Sequence, residues 1–224
     1  MQPENLPIED FGCWLQRRIE REEELRDADL GWRFLSCPLK NIDTARTIFI
    51  GINPGGRVRD IANDGLSVEA GSAYRIESWG ETFAPGESRL QKQVLSLFEM
   101  INEQPDQVLS GYLIPFRSPS IAELKDIFEM TAFGKELWAK ILSRCPAKRI
   151  ITMGSQATYP VSQLLNITRL EKHPSGWGNV SIRVGESDGR KLFALPHLST
   201  FKLMSRLECV NILRSIFAQS PSTL

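Results

Sequence analysis

The stretch "RTIFIGINPGG", Arg46 to Gly56, decides how the chain is read. Ile48, Phe49 and Ile50 form a continuous apolar run, the pattern of a strand covered on both faces. The run stops in Gly51, Asn53, Pro54, Gly55 and Gly56. Glycine lets backbone approach a ligand closely and reach positive φ. Pro54 fixes its own φ and keeps Asn53 extended. Together they hold one amide side chain at a strand end, with backbone N–H groups beside it. A plain strand-to-loop turn with Asn as turn former accounts for the same residues.

Working outward, the pattern alternates. Residues 8 to 29 read as a helix with Phe11, Leu15, Ile19 and Leu25 on one face, and "GWRFLSCPL" reads as an edge strand. Residues 53 to 87 show little periodicity, and a structureless stretch that long is more often functional than accidental. Leu90, Val94, Leu97, Phe98 and Ile101 then mark an amphipathic helix. "QVLSGYLIPF" is the next strand, and Ser120 with Glu123 reads as a capping box opening a helix over "IAELKDIF". A separate helix follows through "GKELWAKILSRC". "KRIITMG" is the third strand, and "SQATYPVSQLL" a helix with Ser155 at its N-cap. "VSIRVGESDGRKLFALP" reads as a hairpin turning at Asp188-Gly189, its second arm the fourth core strand. "RLECVNILRSIF" closes the chain as a helix with Leu207, Val210, Leu213 and Phe217 to one side.

This order predicts an α/β fold, a three-layer α/β/α sandwich around a central, mainly parallel four-stranded sheet. At 224 residues and 42% hydrophobic content the chain is expected to form a single domain. Residues 1–45 would be an N-terminal helical extension, 46–217 the core and 218–224 a tail. Lys plus Arg and Asp plus Glu are each 27, so there is no global basic footprint for nucleic acid, although a local patch stays open. Cys13, Cys37, Cys145 and Cys209 are scattered without a C-x-x-C pair, which fits reduced thiols in a cytoplasmic protein and disfavours a zinc ribbon or iron–sulfur site. "MQPENLPIEDFG" lacks the apolar region of a signal peptide, and no run of ~18 apolar residues is present to span a membrane.

In parallel sheets ligands bind outside the carboxyl ends of the strands. That gathers "GINPGG", "PFRSPS", "MGSQA" and "LPHLSTFK" at one rim. His197, one of two histidines, follows an apolar strand and is expected beside Asn53. Ser199 and Thr200 sit where hydroxyls and N–H groups can hold a phosphate near a helix start, with Lys202 and Arg206 adding positive charge. The other histidine, His173, lies in "EKHPSGWGNVS", a polar stretch read as a loop, with a loop on the substrate side as the alternative.

The ordered set "GINPG", "MGSQA" and "LPHLS" resembles the uracil-DNA glycosylase superfamily over about residues 46 to 217. "GINPG" is most similar to the mismatch-specific and single-strand-selective branches, and "LPHLS" to the second motif, with Leu198 where the family has Pro. The resemblance implies a monomeric enzyme without cofactor or metal that flips a nucleotide out of single-stranded or mismatched DNA. It would cut uracil or another deaminated base from its sugar. Asn53 would orient the attacking water and His197 would donate to the base oxygen. Gly51, Ile52, Pro54 and Gly55 would contact the base, with Tyr112 and Phe83 as further candidates beside Trp79 and Tyr74. A core role for Tyr112 fits equally well. Ser118 and Ser155 would join Ser199, Thr200 and Lys202 on phosphates. The chain departs from the family in having no Asn in "LSGYLIPF" to read the base edge. A catalytically silent member that binds nucleotide or nucleic acid is the competing reading, and a generic α/β enzyme with a phosphate-cradling "NPGG" loop the third.

Overall fold

The computed structural model describes residues 2–26, 28–80 and 82–218. Six strands form one mixed sheet: β1 (Thr47–Gly51), β2 (Leu109–Tyr112), β3 (Arg149–Met153), β4 (Glu171–Pro174), β5 (Ser181–Ser187) and β6 (Arg190–Leu195). Their order is β2-β1-β3-β6-β5-β4. The first four run parallel, in register Ile48↔Leu109, Ile48↔Ile150 and Ile150↔Leu192. These are the four strands the sequence predicts.

The sheet nevertheless has six strands rather than four. β5, the first arm of the hairpin, pairs antiparallel with β6 and leaves an open edge. β4 covers that edge antiparallel, in register from Glu171↔Val184 to Pro174↔Ser181. This corrects the loop expected at "EKHP". An edge strand is solvated on much of its surface, so it carries charged residues and tolerates proline at its end, and it reads as a loop. The turn between β5 and β6 falls where expected, with Asp188 and Gly189 at φ 51° and 70°.

Seven helices are present among the described residues: α1 (Ile8–Arg26), α2 (Asn41–Thr44), α3 (Ala73–Ile76), α4 (Arg89–Met100), α5 (Ile127–Arg144), α6 (Ser155–Leu164) and α7 (Leu207–Ala218). Alternation along the strands splits the core in two. Ile48, Ile50, Ile150 and Leu192 pack with Phe11, Leu15 and Ile19 of α1, Leu137, Trp138 and Ile141 of α5, and Val161 of α6. Phe49, Ile151, Phe193 and Leu195 pack with Tyr74 of α3, Val94, Leu97 and Phe98 of α4, and Cys209, Leu213 and Phe217 of α7. Helices therefore cover both faces. A Ser88–Gln91 capping box starts α4.

Several boundaries move. α1 ends at Arg26, and Leu25 is exposed. "GWRFLSC" is not a regular strand but bridges the outer edge of β2, with Ser36 N donating to Ser110 O at 2.8 Å and Tyr112 N to Phe34 O at 2.9 Å. Ser120 does bond Glu123, at 2.9 Å, but this closes a single 3-10 turn, Ile121–Glu123. Asp126 at φ 49° then redirects the chain, and α5 runs uninterrupted where two helices were expected. α7 turns Cys209, Leu213, Ile216 and Phe217 inward, while Leu207 is exposed. The expected tail lies, from residue 219 on, outside the described residues. No helix among the described residues is long and apolar enough to cross a membrane.

Candidate functional site

β1, β3 and β6 end together at one rim, so the segments bearing Asn53, Ser155 and His197 emerge side by side. β3 lies between β1 and β6. Two inter-strand spacings therefore separate the ends of β1 and β6, about 10 Å.

Asn53 is half-buried, and its amide nitrogen is fixed from three sides. Nδ2 donates to Ser118 Oγ at 2.9 Å, to Pro54 O at 3.0 Å and to Phe116 O at 3.3 Å. Among the described residues, the amide oxygen has no hydrogen-bond partner. All its donors being spent inward, the side chain can only accept from a ligand or water. Ser118 is buried; its hydroxyl donates to Ser120 O at 2.8 Å, and its backbone N–H bonds Pro54 O at 3.2 Å. The hydroxyl expected on a phosphate is thus committed to holding Asn53. Arg117 donates to Gly55 O at 2.7 Å and to Asp64 Oδ1 at 3.1 Å, tying the same turn to the long loop. Arg33 fixes that loop further along, through a buried ion pair with Glu77 at 2.6 Å; Glu77 also accepts from Trp79 Nε1 at 2.9 Å.

Of the turn's glycines only Gly56 has positive φ, 133°. Its Cα backs onto Arg117, whose Cδ would lie 3.0 Å from an added Cβ. Gly55 faces open space, which leaves room beside Asn53. Gly51 sits between Tyr112 Cδ1 and Met153 Cε, 3.4 and 3.7 Å from an added Cβ. The carbonyls of Gly51 and Ile52 accept from Leu113 N and Ile114 N, at 2.9 and 2.8 Å, and are spent on extending β2.

His197 is half-buried, and Ser199 Oγ lies 2.7 Å from its Nδ1. Burial lowers its pKa below the ordinary 6.5, which keeps the ring neutral near pH 7. Either atom of this contact can donate; in the tautomer where the serine hydroxyl donates to Nδ1, the proton sits on Nε2 and the ring offers a donor outward. Ser199 expected on a phosphate is here engaged with the histidine. His197 O accepts from Thr200 N at 3.0 Å and Phe201 N at 2.9 Å, which curls "HLSTF" into a turn. Leu198 is fully buried in the α4–α7 core and anchors that turn from beneath. The helix expected to start at these residues begins at Leu207, after a 3-10 turn, Leu203–Ser205. Ser199, Thr200 and Lys202 are therefore exposed turn residues, not helix N-terminal ones.

The cavity at this rim has a volume of ≈ 280 Å³ and is lined by Gly154, Ser155, Gln156, Arg183, His197 and Phe201 among others. Ser155 is the first residue of α6; the N-cap is Gly154, at φ 89°, which corrects the expected Ser155 cap. Asn53, Tyr112 and Phe83 do not line this cavity. Phe83 is partly exposed on the long loop. Tyr74 is buried against Phe49 and Phe98, and Trp79 stacks edge-on against it at 4.9 Å, so Tyr74 is a core residue. Tyr112 is half-buried, and lost solvation raises its pKa, so it stays a neutral phenol.

Three contributors have no motif in the sequence. Arg117 and Arg183 are single charges whose role depends on which loop they meet. Trp177, in the loop after β4, packs on Phe201 at 6.2 Å and beneath Arg206 at 3.5 Å. Because β4 runs parallel to β6, that loop opens at the same rim; the only sequence signal was the Gly-Trp-Gly punctuation. Among the described residues no group of three or more His, Cys, Asp or Glu side chains gathers as a metal site. Compared with known proteins, the chain matches no family model and no curated sequence.

Proposed function

We propose that the chain is a DNA N-glycosylase that hydrolyses the bond between deoxyribose and uracil or another deaminated base. The observation that carries the reading is the pairing of two fixed polar groups at one rim. One is an amide with its donors tied down and its oxygen unengaged, the other a neutral imidazole with Nδ1 engaged. Hydrolysis needs both. The bond from base nitrogen to C1′ breaks with its electron pair leaving on the base, and positive charge grows on the sugar. Water then adds to C1′ and loses a proton to solvent. Asn53 Oδ1 accepts from that water and aims its lone pair at C1′, a positioning role suited to a group too weak to be a strong base. His197 Nε2–H donates to the base oxygen where negative charge collects. A flanking phosphate would meet the exposed Ser155 and Lys202.

The test is incubation with oligonucleotides carrying uracil, hypoxanthine or xanthine, single-stranded or mismatched, followed by alkaline cleavage. Strand scission on at least one is expected. Absence of scission on all of them, with folded protein in excess, overturns the reading. A second reading, a silent member of the same architecture that binds nucleic acid, is favoured by one observation: Asn53 and His197 do not line a common cavity. It predicts binding of the same oligonucleotides without turnover.

A further inference from the structure

We propose that Lys172 and Arg183 form a phosphate-binding pair that carries a single nucleic-acid strand from the His197 cavity across the antiparallel edge of the sheet. The inference rests on the nucleic-acid reading above. Lys172 of β4 is directly opposite Arg183 of β5 in the antiparallel register. Directly opposed residues share a face, and their side chains are neighbours. The adjacent residues Glu171 and His173 alternate to the other face, where they line a separate cavity of ≈ 360 Å³. Glu171 is itself paired with Arg169, at 3.5 Å.

Among the described residues neither Lys172 nor Arg183 forms an ion pair with a carboxylate. Arg183 instead lies over the Tyr159 ring at 5.8 Å. Like charges directly opposite each other weaken a sheet. This uncompensated pair sits on the two strands added to the four parallel ones, with β5 paired directly to β6, the strand that delivers His197. A polyanion relieves the repulsion and recovers the cost. The pair is also continuous with the candidate site, since Arg183 lines the cavity that holds His197 and Ser155. A single-strand backbone offers successive phosphates along the edge that carries both cations. Unpaired bases can stack on Tyr159, which is half-exposed beside Arg183.

The experiment measures binding of a fluorescent oligothymidylate of about 12 nucleotides, within the usual range of single-strand sites, over a series of salt concentrations. Lys172→Ala and Arg183→Ala are each expected to flatten the slope of log K against log salt by about 0.7. Lys172→Glu gives Arg183 a cross-strand partner; it should weaken binding more than Lys172→Ala while leaving Tm at or above that of the parent, which separates lost contact from lost fold. Lys148→Ala, just before β3 and at the opposite end of the sheet, should leave the slope unchanged. Unchanged slopes for both pair variants, an equal change for Lys148→Ala, or no binding by the parent protein overturns the inference. The oligonucleotide holds none of the three bases assayed for excision, so the glycosylase reading is scored apart. Binding through the pair without excision upholds the inference alone, and excision without dependence on the pair refutes it alone.

Discussion

Asn53 Nδ2 donates to Ser118 Oγ at 2.9 Å, which ties the turn after β1 to the loop after β2 and sets which way the amide faces. Two carbonyl oxygens, of Pro54 and Phe116, accept from the same nitrogen. An aspartate at this position, nearly the same in shape, would turn a carboxylate oxygen toward both carbonyls. Asn53→Asp is therefore expected to lower stability by about 1–3 kcal/mol near neutral pH, the usual cost of a buried hydrogen bond replaced by opposed acceptors. Denaturant unfolding checks it; an unchanged midpoint would mean that the amide is turned the other way.

The same contact makes Ser118 a positioning residue for the proposed reaction. Ser118→Ala leaves Asn53 with its two carbonyl partners but frees it to swing. The expected result is a fall in kcat on the order of tenfold with KM little changed, because a small misplacement of an orienting group costs rate rather than binding. A rise in KM at constant kcat would instead place Ser118 on the substrate.

His197 supplies a pH signature. Burial holds its folded pKa below the unfolded value of 6.5, so the unfolded chain binds the proton more tightly. The stability tied to the neutral ring is complete above pH 6.5 and is lost as pH falls through the interval between the two values. If excision depends on the neutral ring, the acid limb of kcat/KM lies below pH 6.5. His197→Gln should remove both that limb and the matching part of the acid loss in Tm. A limb that persists in His197→Gln belongs to another group.

What the sequence disclosed follows from how local each signal is. Ile48-Phe49-Ile50 and Ile150–Met153 are buried on both faces, and apolar runs announce such strands without reference to anything distant. Asp188-Gly189 needs positive φ at two adjacent residues, and few pairs supply it, so the hairpin was equally plain. β4 was not, because its pairing is decided by the unsatisfied edge of β5 rather than by its own residues. The site divides the same way. Asn53 and His197 announce themselves by standing where strands end. Ser118 turning inward to Asn53, and Ser199 turning to His197 rather than outward, are fixed by loop-to-loop distances that no spacing encodes.

Gly154 and Gly51 test backbone against space at the same rim. Gly154 has φ 89°, a conformation that side-chain-bearing residues rarely adopt, while an added Cβ would meet His197 Cδ2 only at an ordinary 3.7 Å. Gly51 has no such φ, and its nearest contact is Tyr112 Cδ1 at 3.4 Å. Gly154→Ala should therefore cost about 1–3 kcal/mol through strain, and Gly51→Ala much less. Thermal melts of the two variants decide it. The reverse order would show that crowding, not φ, selects glycine here.

The cysteines report on the cover over β2. Cys37 is fully buried, and desolvation pushes its pKa up to about 12, so almost no thiolate forms near neutral pH. Its sulfur is 3.4 Å from Ser110 O and 3.3 Å from Ser110 N, inside the segment that bridges the β2 edge. Cys145 and Cys209 are also buried, and burial raises both of their pKa values, whereas Cys13 is exposed on α1. Iodoacetamide on the native protein, read by peptide mass spectrometry, should alkylate Cys13 alone, and all four cysteines in denaturant. The reagent reaches Cys37 only if the 32–37 segment lifts from β2. Labelling of Cys37 as fast as Cys13 would therefore show that this segment does not cover the edge, and the strand that positions Tyr112 beside Gly51 would then be open to solvent.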